Sequence, residues 1–125
     1  MNAVIAVALG GALGALGRYG VQALMLRHFG AGFPLGTLTV NVAGSLLMGF
    51  LVHLLVARGA SPELKSFLLI GCLGALTTFS TFSLDAVSLY ERGAMGLAAL
   101  YVGASVVLSI GALFAGVSLA RMVAP

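Results

Sequence analysis

The stretch Gly71–Ser83 reads GCLGALTTFSTFS. It begins as a small-residue apolar helix pattern and turns, at Thr77, into alternating hydroxyls and rings. Thr77, Thr78, Ser80, Thr81 and Ser83 carry hydroxyls, and Phe79 and Phe82 stand between them. Glycine and β-branched threonine are poor helix formers, so a break is expected near residues 74–78. An interrupted helix at membrane depth is tolerated only where protein or a cavity satisfies the freed backbone groups. The reading of this stretch therefore depends on whether the chain lies in a bilayer.

Composition answers that. Of 125 residues, 61% are hydrophobic and 7% are charged, and mean hydropathy is +1.17. A soluble domain has about a quarter of its residues charged; this chain cannot cover a soluble surface. The sequence predicts an integral membrane protein. Charge, Gly and Pro cluster only at LRHFGAGFP (26–34), ARGASPELK (57–65) and YERGAMG (90–96), which reads them as loops. Four apolar segments remain, about residues 3–26, 34–57, 64–90 and 95–122. Each exceeds the roughly 20 residues that a spanning helix needs. The expected fold is an all-α membrane protein of four transmembrane helices in one domain, 1–125, with the third helix broken near its middle. MNAVIAVALGG at the start lacks a basic n-region and reads as part of the first span, not as a cleaved signal.

Charge narrows the function. Arg18, Arg27, Arg58, Lys65, Arg92 and Arg121 are scattered singly, so there is no basic patch for nucleic acid. A lone Cys72 makes no internal disulfide and no metal cluster. Arg58, Lys65 and Arg121 fall on the side of the termini, and Arg27 and Arg92 on the other, with Arg18 if it reaches that surface. Orientation normally follows an excess of Lys and Arg on the cytoplasmic side. The near balance predicts a chain that inserts both ways and pairs as an antiparallel homodimer.

Two polar stripes cross the membrane. Thr37, Asn41 and Ser45 are spaced by four on the second span, and Tyr101, Ser105 and Ser109 by four on the fourth. Such spacing places side chains on one helix face. The stripes read either as interhelical hydrogen-bond contacts or as the wall of a pathway. Two aligned stripes together with Leu76–Ser83 exceed what contacts alone require. Acidic residues are absent from the first, second and fourth spans, and Asp85 lies towards the end of the third. A proton-coupled exporter of cations needs a buried carboxylate, and cation channels use acidic rings or ordered carbonyls. Hydroxyls, an amide and phenyl edges, which carry positive partial charge, suit an anion. Phe79 and Phe82, three apart, share a face; the alternative is simple core packing. Arg18 either faces a polar cavity and draws anions inward or snorkels to the interface. The first span carries Gly10, Gly11, Gly14, Gly17 and Gly20, which reads as close helix packing. His28 and His53 have no ligand partners at metal spacing, and no nucleophile–base pair marks an enzyme.

GGALGALGRY (10–19), PLGTLTVNVAGS (34–45), GCLGALTTFSTFS (71–83) and YVGASVVLS (101–109) together resemble the Fluc (CrcB-like) fluoride channel family. The resemblance spans almost the whole chain in order. It implies a dual-topology homodimer in the inner membrane, with two antiparallel fluoride pores, exporting fluoride passively down its electrochemical gradient. It implies pore roles for Phe79, Phe82, Asn41, Thr37, Ser80, Thr81, Tyr101, Ser105 and Ser109, and a vestibule role for Arg18. It also implies a structural sodium ion at the dimer centre, held by the Gly74 and Thr77 carbonyls of each subunit. Fluoride, a second copy of the chain and membrane lipid are the implied partners. A small multidrug-resistance-type exporter would instead place a glutamate in the first span, where only small and aliphatic residues precede Arg18. A scaffold subunit would show no anion flux to lose.

Overall fold

A computed structural model describes residues 2–125. Its elements are α1 (Ala3–Phe29), α2 (Leu35–Ala57), a third span made of α3 (Pro62–Lys65), a π-helical stretch (Ser66–Leu73), α4 (Gly74–Leu76) and α5 (Phe79–Glu91), and lastly α6 (Met95–Val123). The described residues contain helices and no strands. Four spans, Ala3–Phe29, Leu35–Ala57, Pro62–Glu91 and Met95–Val123, are long and apolar enough to cross a membrane.

Each loop is set by a glycine in left-handed geometry, where other residues are strained. Gly30, Gly59 and Gly93 have φ of 74°, 61° and 78°. After α2 the Gly59 and Ala60 amides fold back on the Val56 and Leu55 carbonyls, and after α5 those of Gly93 and Ala94 do so on Tyr90 and Leu89. This double return is the Schellman arrangement, which satisfies carbonyls left over at a helix end. The expected loop at 26–34 starts late, because α1 continues through Arg27 and His28 to Phe29. Basic side chains suit that end of a helix, where carbonyls concentrate negative charge. Ser61 opens the third span by accepting the Leu64 amide at 3.2 Å, with Pro62 in the first turn.

Packing relies on glycine contacts between backbones. α2 and α6 lie against each other at Gly49 and Gly116. A methyl on Gly49 would run into the Leu113 carbonyl, and one on Gly116 into the Leu46 carbonyl. α1 meets the π-helical stretch in the same way, through Gly10 at the Phe67 carbonyl and Gly14 at the Cys72 carbonyl. In lipid, where apolar surface gains little by leaving the solvent, such close approach is what holds helices together. Gly11 and Gly20 have open space around them, so only part of the first-span glycine pattern is packing. Little of each span is interior: 11% to 22% of the most apolar window is buried. The remaining surface is left for lipid or another chain.

The third span follows one path from Pro62 to Glu91 but is bent along it. Thr77 (φ −84°, ψ 156°) and Thr78 (φ −153°, ψ 125°) are extended and join α4 to α5. Gly74 is helical, at φ −62° and ψ −35°, so the glycines that suggested a break are not where the geometry changes. Thr78 is the N-cap of α5: its Oγ1 accepts the Thr81 amide at 3.1 Å. A side-chain oxygen placed this way replaces the helical carbonyl that the first turn lacks.

Candidate functional site

Asn41 organises the bend. Its Nδ2 donates to the Thr78 carbonyl at 3.0 Å, and its Oδ1 accepts the Thr78 amide at 2.8 Å. The side chain of α2 thus satisfies both backbone groups of an extended residue that no helix can serve. In lipid an unsatisfied pair of this kind is expensive, so the costly amide and the bend account for each other. An amide nitrogen has two hydrogens, and Asn41 commits one of them to Thr78.

A cavity of about 320 Å³ opens beside this pin. Asn41 and Ser45 of α2, Thr77 and Thr78, Phe79 and Phe82 of α5, and Ser105 and Ser109 of α6 contribute to its wall. The two stripes therefore meet on one space. Phe79 and Phe82 stand with centroids 5.6 Å apart and planes inclined at 55°. Phe79 is 79% exposed, so one chain leaves that wall open. Ser105 is 6% exposed, yet its Oγ has no hydrogen-bond partner among the described residues. Buried polar atoms are nearly always paired, and this one belongs to a residue that borders the cavity.

Tyr101, expected on the same wall, is placed differently. It is fully buried, with its ring tilted against Phe82 at 5.3 Å and edge-on to Phe33 at 5.6 Å. Its hydroxyl donates to Asp85 Oδ2 at 3.0 Å. Beyond it lies a second cavity of about 260 Å³, to which Gln22, Thr37, Thr81 and Asp85 contribute. Thr37 and Thr81 thus belong with this second space, and Tyr101 stands between the two. Ser80 is exposed and lines neither cavity, its Oγ lying 3.4 Å from Thr78 Oγ1.

The hydroxyl-rich stretch divides its work. Thr77 Oγ1 donates to the Leu73 carbonyl and Ser83 Oγ to the Phe79 carbonyl, each at 2.9 Å. Those two hydroxyls satisfy the backbone one turn back, as Ser and Thr commonly do in apolar helices. Arg18 is half-buried, outside both cavities, with no hydrogen bond or ion pair among the described residues.

Gly74 and Thr77 share a consequence of the bend. In a continuous helix the Thr78 amide would bond the Gly74 carbonyl and the Thr81 amide the Thr77 carbonyl. The first amide goes to Asn41 and the second to the Thr78 hydroxyl. Two carbonyls, three residues apart, lose their helical donors. Gln22, Thr78 and Asp85 were not singled out as site residues by sequence reasoning. Thr78 had a signal, since a threonine opening a helical run is an N-cap pattern; Gln22 had none, because its partner is on another span.

Four apolar spans around two cavities that carry hydroxyls and amides define a multi-pass membrane protein. Residues 5–117 match the family described as CrcB-like protein, Camphor Resistance (CrcB), and the chain belongs to that family. A protein of Agrobacterium fabrum named Fluoride-specific ion channel FluC is 56% identical over 116 residues, 92% of this chain and 93% of its own. Proteins of the same name from Cereibacter sphaeroides and Rhizobium meliloti are 54% and 51% identical, each over 97% of this chain and covering 96% and 98% of their own.

Proposed function

We propose that this protein is a fluoride-selective channel of the inner membrane, through which cytoplasmic fluoride leaves passively. The observation that carries the reading is the buried, unpartnered Ser105 hydroxyl beside a cavity bordered by phenyl rings, an amide, further hydroxyls and the aliphatic side chains of Met48, Val106, Ile110 and Leu113. A small anion replaces its water with donors, and this wall supplies them: the Ser105 and Ser109 hydroxyls, the second Asn41 hydrogen, and the positive edges of Phe79 and Phe82. No Lys or Arg borders that cavity, so an ion is not trapped by a full charge and can leave as well as enter. No carboxylate stands on that wall; the one in this region, Asp85, borders the second cavity and accepts from Tyr101.

The working unit is an antiparallel homodimer with two pores. The exposed Phe79 ring and the open cavity support it, since a second copy can supply the missing wall. The near balance of Arg58, Lys65 and Arg121 against Arg27 and Arg92 supports insertion in both orientations. Arg18 serves the vestibule. Fluoride that enters cells as neutral hydrofluoric acid ionises inside, and the inside-negative potential drives the anion out.

The Gly74 and Thr77 carbonyls fit a sodium ion, because neutral oxygens without helical donors are the ligands a hard monovalent cation uses at an unwound helix. Bound sodium would supply positive charge at the centre of the dimer and hold the bend. Exchange of sodium for N-methylglucamine should lower the melting temperature of the detergent-solubilised dimer by several degrees, since a ligand at 100 times its dissociation constant adds about 2.7 kcal/mol. An unchanged melting temperature would remove sodium from the account.

The functional test is fluoride release from potassium-fluoride-loaded liposomes after valinomycin, with Phe82→Ile as the key variant. Isoleucine keeps bulk but has no ring edge. Release should fall at least tenfold in folded, dimeric protein; a variant as fast as the wild type would show that the ring is only packing.

A further inference from the structure

Gln22 sits on α1, beside the second cavity, where none of the expected site residues of that span lies. Its Nε2 donates to the Thr37 hydroxyl at 3.3 Å. Its backbone lies directly on α2: a methyl at Gly36 would come within 2.9 Å of the Gln22 α-carbon and 3.1 Å of its Cγ. The bare glycine therefore lets α1 approach closely enough for the amide to reach a residue that is only 4% exposed.

The bond fixes the direction of another. A hydroxyl has one hydrogen and two acceptor pairs. When Thr37 Oγ1 accepts from Gln22, its own hydrogen is free to turn away from Gln22. Thr81 and Asp85 share the cavity with it, and the Tyr101 oxygen is close enough to accept from it. Tyr101 spends its hydrogen on Asp85, so it offers none to an anion in this arrangement. The carboxylate itself repels an anion. What remains there to receive one is the Thr81 hydroxyl hydrogen, the second Gln22 amide hydrogen, and the Thr37 hydrogen, for which the Tyr101 oxygen competes.

The geometry points to Gln22 as a positioning residue for anion passage, one that holds the Thr37 hydroxyl as a donor towards the second cavity. This rests on the channel reading above and adds to it a residue outside the expected pore set. Without the amide, Thr37 is free to donate elsewhere, and the passage beside Asp85 loses an oriented hydrogen.

A double-mutant cycle in the liposome assay tests it, using Gln22→Met, Thr37→Val and the double variant, all checked for dimeric elution. Gln22→Met should slow fluoride release at least threefold, and in the Thr37→Val background it should have no further effect. Wild-type rates in Gln22→Met, or losses that multiply in the double variant, overturn the role given to Gln22. If Gln22→Met does not fold, Gln22→Asn, whose shorter amide falls short of Thr37, takes its place in the same cycle. A wild-type protein that releases no fluoride overturns the channel reading itself, whereas uncoupled variants of a conducting protein overturn only this inference.

Discussion

Asn41→Asp should cut fluoride release about a hundredfold at neutral pH. The change is nearly isosteric, and it acts in two ways. It removes the Nδ2 hydrogens, leaving the Thr78 carbonyl without its donor at 3.0 Å. It also puts a negative charge on the wall of a cavity that no Lys or Arg borders. At about 6 Å and an effective dielectric constant of about 20, two like charges repel by about 3 kcal/mol, which is about two decades in rate. Lost hydrogen bonding alone accounts for less, about 1–3 kcal/mol, and falls mainly on stability. Asn41→Leu separates the two effects. It carries no charge but abandons both backbone groups of Thr78, so it should lower the melting temperature more than Asn41→Asp does. Stability is read by thermal aggregation in detergent and flux by the liposome assay. If Asn41→Asp conducts like the wild type, the α2 stripe does not line the ion's path.

Gly116→Val should prevent recovery of folded protein. The added carbons meet the Leu46 carbonyl and the Phe50 amide, 2.8 Å from the first of them. Both are backbone atoms in the middle of α2, so no side chain can swing aside. Overpacking costs about 1–3 kcal/mol where neighbours relax, and more where they are rigid. The reciprocal contact of Gly49 with Leu113 means that α2 and α6 separate along the whole crossing. Gly111→Ala, on the same helix with open space around it, should elute and melt like the wild type. A folded Gly116→Val protein at normal yield would mean that the α2–α6 crossing is not as close as described.

What could be read in the sequence was what depends on local chemistry. Four spans followed from composition and from loops punctuated by Gly30, Gly59 and Gly93. The meeting of the α2 and α6 stripes followed from spacing by four, since Asn41, Ser45, Ser105 and Ser109 border one cavity. Helix propensity alone points to the wrong cause of the bend. Gly74 was expected to help break the third span, yet it is helical, and the extended residues are Thr77 and Thr78. Propensity describes a residue alone, whereas the bend is held by an amide 37 positions away. Tyr101 shows the same limit. Its spacing placed it in line with Ser105, but a ring reaches further than a hydroxymethyl group, and it ends between Phe33 and Phe82 with its hydroxyl on Asp85. The Gln22–Thr37 bond joins two spans, and no single-span pattern contains it.

The most direct test of the central claim is a paired efflux measurement on the wild-type protein. Liposomes are loaded with potassium fluoride or potassium chloride, valinomycin is added, and each external anion is read by its own electrode. The account predicts rapid fluoride release and chloride release close to that of protein-free liposomes. Folded, dimeric protein in sodium buffer that releases neither anion, or both equally, would contradict it.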